Sequence, residues 1–224
     1  MSLATLALVL LSLAPQSSLK PASYIARGNE PGWVLSMTGS EMVLTQQDGP
    51  EIKMPQPKAQ VTGDTTRYGA TLNGKPMTVD VAHRLCHDGM SGMSYPDAVT
   101  VAGGGKVLKG CGGDPASLLA GEWTVESIGG VAALAQAKPT LSFTDAGRIA
   151  GSGSCNRYSA SYTLTGEGLK IGPAASTRMA CAPALSQQED TFFRILGTVF
   201  RHDVTDTKTL VLEGTGGKKI VAKR

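Results

Sequence analysis

Eleven consecutive residues, Cys86-His87-Asp88-Gly89-Met90-Ser91-Gly92-Met93-Ser94-Tyr95-Pro96, bring together a thiol, an imidazole, a carboxylate and two thioethers, with His83 just upstream. Two chemistries compete for them. As metal ligands, His83 and His87 with Cys86 would suit zinc, and Met90 and Met93 with a histidine would suit Cu(I), which soft thioethers select. As a structural loop, Cys86 would end a strand in a disulfide with Cys111, Gly89 and Gly92 would shape the turn, and Met90 and Met93 would tuck into an apolar edge. Oxidation removes the thiolate, the strongest ligand of the set. The sequence favours the loop, and no cofactor is expected.

Catalytic sets are harder to assemble. The three histidines are His83, His87 and His202. Two of them precede an aspartate directly, as His87-Asp88 and His202-Asp203, but a working base and its orienting carboxylate are recognised by folded geometry and not by adjacency. Gly151-Ser152-Gly153-Ser154-Cys155 puts glycine where a nucleophile elbow needs serine. Gly74-Lys75 runs into Pro76 and Gly217-Lys218 into Lys219, so neither is a phosphate-binding loop. No Cys-x-x-Cys occurs for redox exchange. The expectation is a protein that binds without turnover. Arg27, Asn29 and Glu30, and Asn156 with Arg157, are the polar groups that could present a recognition surface; for Asn156 the sequence favours a turn closed by its own side chain.

The elements that must carry these residues are short. Aromatics are 5 % and charged residues 17 %, while 28 of the 224 residues are glycine, a balance that favours strands and tight turns over long helices. A net charge of +3 is too small for an electrostatic footprint on nucleic acid. The basic cluster Lys218, Lys219, Lys223 and Arg224 reads as a solvated, fraying terminus. The apolar run from Leu3 to about Ala14 falls short of the roughly 20 residues that span a bilayer and reads as the core of a secretory signal, although no Lys or Arg precedes it. No cysteine near it could accept a lipid anchor. Four cysteines, at 86, 111, 155 and 181, in an exported chain favour disulfides. Three pairings are possible. Sequence proximity favours Cys86 with Cys111 and Cys155 with Cys181, each worth roughly 3 kcal/mol in the chain-entropy account.

Trp33, Leu35 and Met37 alternate with Val34, Ser36 and Thr38, which predicts a half-buried strand, followed by another at Met42 to Leu44. Pro50, Pro55 and Pro57 restrict the next stretch to loop or sheet edge. Arg67 to Leu72 and Met77 to Leu85 flank Asn73-Gly74, a tight-turn dipeptide, and Val79, Val81, His83 and Leu85 would share one face. Ala98 to Val101 and Lys106 to Cys111 flank Gly103-Gly104-Gly105. Gly112-Gly113-Asp114-Pro115 then marks a boundary, giving a signal-like segment 1–22, a β-rich module 23–115 and a second module 116–224. The latter opens with Leu118 to Val125, and strands are expected at Thr140 to Phe143, Arg148 to Gly151, Tyr158 to Leu164 and Leu169 to Gly172, with a last hairpin from Leu210 to Leu212 and Ile220 to Ala222. One helix is predicted from Ser186 to about Phe200, opened by a Ser186/Glu189 capping box and carrying Phe192, Leu196, Val199 and Phe200 at helical spacing. The fold class is mainly β with one helix, α+β.

Leu119, Gly121 and Trp123, Pro139-Thr140-Leu141-Ser142-Phe143, Gly151 to Tyr158, Thr177-Arg178-Met179-Ala180-Cys181, and Glu189, Phe192 and Leu196 together resemble the META domain family, which includes heat-inducible HslJ-like proteins. The first module, with Ala26-Arg27-Gly28-Asn29-Glu30-Pro31-Gly32-Trp33 and the Cys86 loop, is similar to an uncharacterised domain that precedes META domains in envelope proteins. The resemblance implies a periplasmic or secreted protein whose second module is an antiparallel sheet or partly open barrel with one packed helix. It implies a stress-related setting with an unidentified envelope protein or small ligand as partner, and no established catalytic residue or cofactor. A periplasmic copper- or zinc-binding protein and a structural module that stabilises an envelope partner are the alternatives.

Overall fold

In the strand Gly32–Met37, Trp33, Leu35 and Met37 are buried while Val34 is exposed, and the same period of two runs through Met42 and Leu44, Met77, Val79 and Val81, and Val99 and Val101. Such alternation lets a sheet bury one face only, and the chain answers by curling each of its two main sheets around its own apolar side. The structure, a computed structural model, describes residues 23–224 apart from 145, 167, 206 and 207. The signal-like segment 1–22 lies outside the described residues. Among the described residues no helix is long and apolar enough to cross a membrane.

The first sheet has nine antiparallel strands in the order Ile52–Pro55, Glu41–Gln46, Gly32–Met37, Tyr24–Asn29, Lys106–Gly112, Asp97–Gly103, Lys75–Ala82, Thr65–Leu72 and Ala59–Thr62. Its two edge strands, Ile52–Pro55 and Ala59–Thr62, are consecutive in the chain and joined only through Gln56, Pro57 and Lys58. So short a link reaches at most about 14 Å between Pro55 and Ala59, and the two edges must approach each other. The sheet therefore curls into an open barrel whose two edge strands are not paired with each other, as the proline-limited edge assignment of this stretch anticipates. The turns Asn73-Gly74 and Gly104-Gly105 lie at one end of the central strands; Asp97, Gly112 and Ala82 lie at the other.

The second sheet runs Gly168–Ile171, Arg157–Thr165, Arg148–Ser152, Thr140–Thr144, Gly121–Ile128, Lys219–Lys223, Thr209–Gly214 and Val199–Val204, with short side strands Val131–Ala132 and Ala175–Ser176. Its terminal strands, Gly168–Ile171 and Val199–Val204, lie side by side and nearly close it. Gly168 has a φ of +134°, and a Cβ there would strike the Phe200 carbonyl, so closure depends on glycine. Trp123, Leu141, Ile149, Phe192, Leu196, Leu210 and Ile220 fill the interior. The Trp123 indole N–H donates to the Leu119 carbonyl at 2.8 Å.

Four expectations are corrected here. The helix spans Pro183–Leu196, with no side-chain cap and Pro183 at its start. Proline favours the first helical turn and is excluded from the interior, so it sets the start, and Ser186 and Glu189 fall inside the helix. Val199 and Phe200 continue the helical spacing in sequence, yet Val199–Val204 is an edge strand paired with Thr209–Gly214, since it completes the barrel. The terminal basic cluster does not fray: Lys219–Lys223 is an interior strand, and the Arg224 guanidinium stacks 4.2 Å from the Trp123 ring centre and donates to the carbonyls of Leu118 and Ala120. Strand Lys75–Ala82 also ends short of Leu85.

Gly168→Ala is expected to lower the unfolding free energy of the second module by about 1–3 kcal/mol, read from the urea transition; an unchanged midpoint would contradict closure at this glycine.

Candidate functional site

The Cys86 loop is built by its own carboxylate. Asp88 Oδ1 accepts the backbone N–H of Ser91 at 2.7 Å and of Met90 at 3.1 Å and the Ser91 hydroxyl at 2.8 Å, and Asp88 Oδ2 accepts the Asn29 amide at 2.8 Å. Burial pushes the Asp88 pKa up, but the donors from Ser91, Asn29 and Met90 outweigh it and hold the carboxyl below its usual range. The Cys86–Cys111 disulfide fixes the loop to the last strand of the first barrel. Of the surface pair anticipated with Asn29, Arg27 and Glu30 are exposed; only Asn29 engages the loop.

That loop is also what touches the second module. The Ser94 hydroxyl donates to Asp203 Oδ1 at 2.9 Å, and His87 Nε2 lies 3.3 Å from the same oxygen. Leu85 packs against the second core instead of sharing a face with Val79 and Val81. A Cβ on Gly92, at φ +65°, would strike the Arg201 guanidinium, so glycine allows the loop to seat closely on strand Val199–Val204. His202, 2 % exposed, lines the small cleft between loop and strand with Gly92, Met93 and Gly168. Neither of its ring nitrogens has a hydrogen-bond partner among the described residues. Burial first, and Arg201 with it, push the His202 pKa down against the opposing pull of Asp203.

The structure does not gather the residues weighed as metal ligands. His83 and His87 turn to different carboxylates, Asp97 and Asp203. Met90 is 81 % exposed and Met93 5 %, so only Met93 tucks in as the loop reading requires. Among the described residues no group of three or more His, Cys, Asp or Glu is placed to hold a metal ion.

His83 enters an arrangement that no sequence spacing signals. Its Nδ1 lies 2.8 Å from Asp97 Oδ1 and its Nε2 3.1 Å from Thr66 Oγ1. The order alcohol, imidazole, carboxylate is that of a nucleophilic triad. Here it links strands Thr65–Leu72 and Asp97–Gly103 through the residue that follows the strand between them, Lys75–Ala82, at the end of the sheet away from the hairpin tips. The Tyr24 hydroxyl is buried beside Asp97 without meeting hydrogen-bond geometry; burial first, and the Asp97 charge second, push its pKa up.

In the second module Asn156 and Glu189 form a lock. Glu189 lies on the buried helix face with Phe192 and Leu196. At 7 % exposure its carboxylate accepts the backbone N–H of Cys155 at 3.1 Å and of Asn156 at 2.7 Å, and the Asn156 amide at 2.7 Å. Asn156 Oδ1 in turn accepts the Thr177 hydroxyl and the Met179 N–H. With the Cys155–Cys181 disulfide, this joins two loops to the helix. The geometry therefore assigns Asn156 to turn closure. Arg157 remains exposed beside a shallow cleft lined by Glu122, Ser142, Thr177 and Met179.

The far end of the first barrel differs. A cavity of about 250 Å³ opens among the tips of its hairpins, lined by Leu44, Ile52, Leu72, Met77, Val101 and Leu108. These come from both halves of the curled sheet. Mouths of β-barrels are common ligand sites. None of these residues was singled out in the sequence as a candidate, because only the curling of the sheet brings them to one space.

Glu189→Ala strands three buried donors and is expected to cost the second module about 3 kcal/mol, against little change for exposed Arg157→Ala, both measured by urea unfolding with the disulfides intact. For His202 the folded pKa lies below the unfolded value near 6.5. Its contribution to stability is complete above that value and is lost as pH falls toward the folded pKa. The unfolding midpoint is expected to drop between pH 8 and 5, less so in His202→Phe; equal pH slopes would contradict the burial of a neutral imidazole.

A comparison with curated proteins gives no match. Among solved structures, an NMR structure of a protein from Burkholderia xenovorans is 27 % identical with a TM-score of 0.41, covering 49 % of this chain and 85 % of that one. A second NMR structure is 28 % identical with a TM-score of 0.41, covering 50 % and 94 %. A crystal structure of a protein of unknown function from the DUF3598 family of Nostoc punctiforme is 10 % identical with a TM-score of 0.22, covering 91 % and 94 %. The META domain family model matches residues 116–224 and leaves the first barrel outside the match. The second module of this chain, the barrel with the Glu189 helix, is accordingly a META domain.

Proposed function

We propose that this is a non-enzymatic binding protein of the cell envelope, exported by segment 1–22 and holding a small ligand in the mouth of its first barrel. The observation that carries the reading is the apolar cavity among the hairpin tips of the first sheet, lined by Leu44, Met77, Val101 and Leu108. The groups that could do chemistry are engaged in holding the fold: His83 with Asp97 and Thr66, His87 with Asp203, Asp88 with its own loop, Glu189 with Asn156. All four cysteines are in disulfides, which fits an oxidising compartment. The META match fits an envelope protein, and the stress-related setting comes from that family resemblance.

The test uses a neutral fluorescent probe, N-phenyl-1-naphthylamine, and the full mature chain. Saturable enhancement at one probe per chain is expected, reduced at least tenfold in affinity by Leu72→Trp, which fills the mouth from its rim. Equal binding by that variant would overturn the mouth as the site. Sustained turnover of an ester or amide panel, lost in folded His83→Gln, would overturn the non-enzymatic reading.

A further inference from the structure

Resting on the mouth as the binding site, we infer that its ligand is a single-chain amphiphile with an anionic head, held by Lys75 and Lys106. Strand alternation places both lysines in the inward-facing rows. Lys75 stands two residues before buried Met77, and Lys106 two residues before buried Leu108. Each is the first residue of its strand, at the tip of a tight hairpin, so the inward row ends in a cation at the rim and continues in apolar side chains below it.

The two cations bracket one entrance. Lys106 pairs with Gly103, which pairs with Met77 on the strand that Lys75 begins. They therefore sit on strands two spacings apart, about 10 Å, and ammonium groups on long flexible stems can converge on one head group between them. Both line the cavity, both are exposed, and neither makes an ion pair among the described residues. No Asp or Glu lines the cavity; Asp48 and Glu51, in the neighbouring turn, are absent from its wall. Gln46 and Asn73 add neutral polar groups at the same rim. The charge is thus of one sign at the entrance and absent inside.

Size restricts the tail. At about 250 Å³ the space lies below the roughly 300–1,000 Å³ of pockets for drug-sized molecules. Space of that size takes a single alkyl chain and not a two-chain lipid. A free carboxylate and a phosphate ester share the head-group chemistry that two ammonium groups recognise.

The test is calorimetric titration of the full mature chain with decanoate, decyl phosphate, decanol and decyltrimethylammonium, together with shorter carboxylates. Affinity is expected to rise about fourfold per methylene from hexanoate to decanoate, as enclosure of the tail requires. Decanoate or decyl phosphate should bind at least tenfold more tightly than decanol, and the cationic amphiphile not measurably. The better of the two anions identifies the head group. Lys75→Gln with Lys106→Gln should abolish the preference for the anion and leave decanol binding and the urea midpoint unchanged. Decanol binding as tightly as both anions, or a preference that survives the double substitution, would overturn this inference while the neutral probe still reports a binding barrel. Failure of the probe itself would overturn the underlying reading.

Discussion

The constraint on which the molecule depends is the curling of its first sheet. Edge strands Ile52–Pro55 and Ala59–Thr62 are neighbours in sequence and opposite ends of a nine-stranded order, so the sheet has no flat alternative. Curling gives the apolar rows through Trp33, Leu35, Met77, Val79 and Val101 a common interior without any helix to cover them. Once the sheet is curled, the open barrel has two ends, and the chain treats them differently.

At one end the chain spends the residues that looked reactive. His83, Asp97 and Thr66 bind three strands together, Asp88 organises the loop, and Cys86 anchors it. The same loop then carries Leu85, His87, Ser94 and Gly92 onto the second barrel, so a local turn becomes the joint between modules. Polar groups with several satisfied partners resist rearrangement, since breaking one strands the others. At the other end the hairpin tips are polar and short, and the interior beneath them is apolar.

Much of this was legible locally, and the illegible parts share a cause. Asn73-Gly74 and the glycines at 103–105 specify their hairpins because few residues tolerate positive φ, and the alternation from Trp33 to Met37 specifies its strand. Both cysteine pairs follow from proximity. Val199 and Phe200, by contrast, satisfy helical and strand patterns alike, and only the pairing of Val199 with Gly214 and of Arg201 with Glu213 decides between them. Glu189 reads as a cap until Pro183 moves the helix start and turns it toward Asn156. Lys219 and Lys223 read as a solvated tail, although their alternation with Ile220 and Ala222 carries the signature of a strand. His83 with Asp97, and Lys75 with Lys106, are joined by sheet register, which is a property of the curled sheet and not of any window of sequence.

The most direct measurement is methyl-resolved NMR of the chain labelled at Ile, Leu, Val and Met, titrated with a single-chain amphiphile. The account predicts saturable shifts at Ile52, Leu72, Met77, Val101 and Leu108, with Leu141, Leu210 and Ile220 of the META domain unmoved. Shifts centred on the second module, or none at the mouth of the first barrel at saturating ligand, would contradict it.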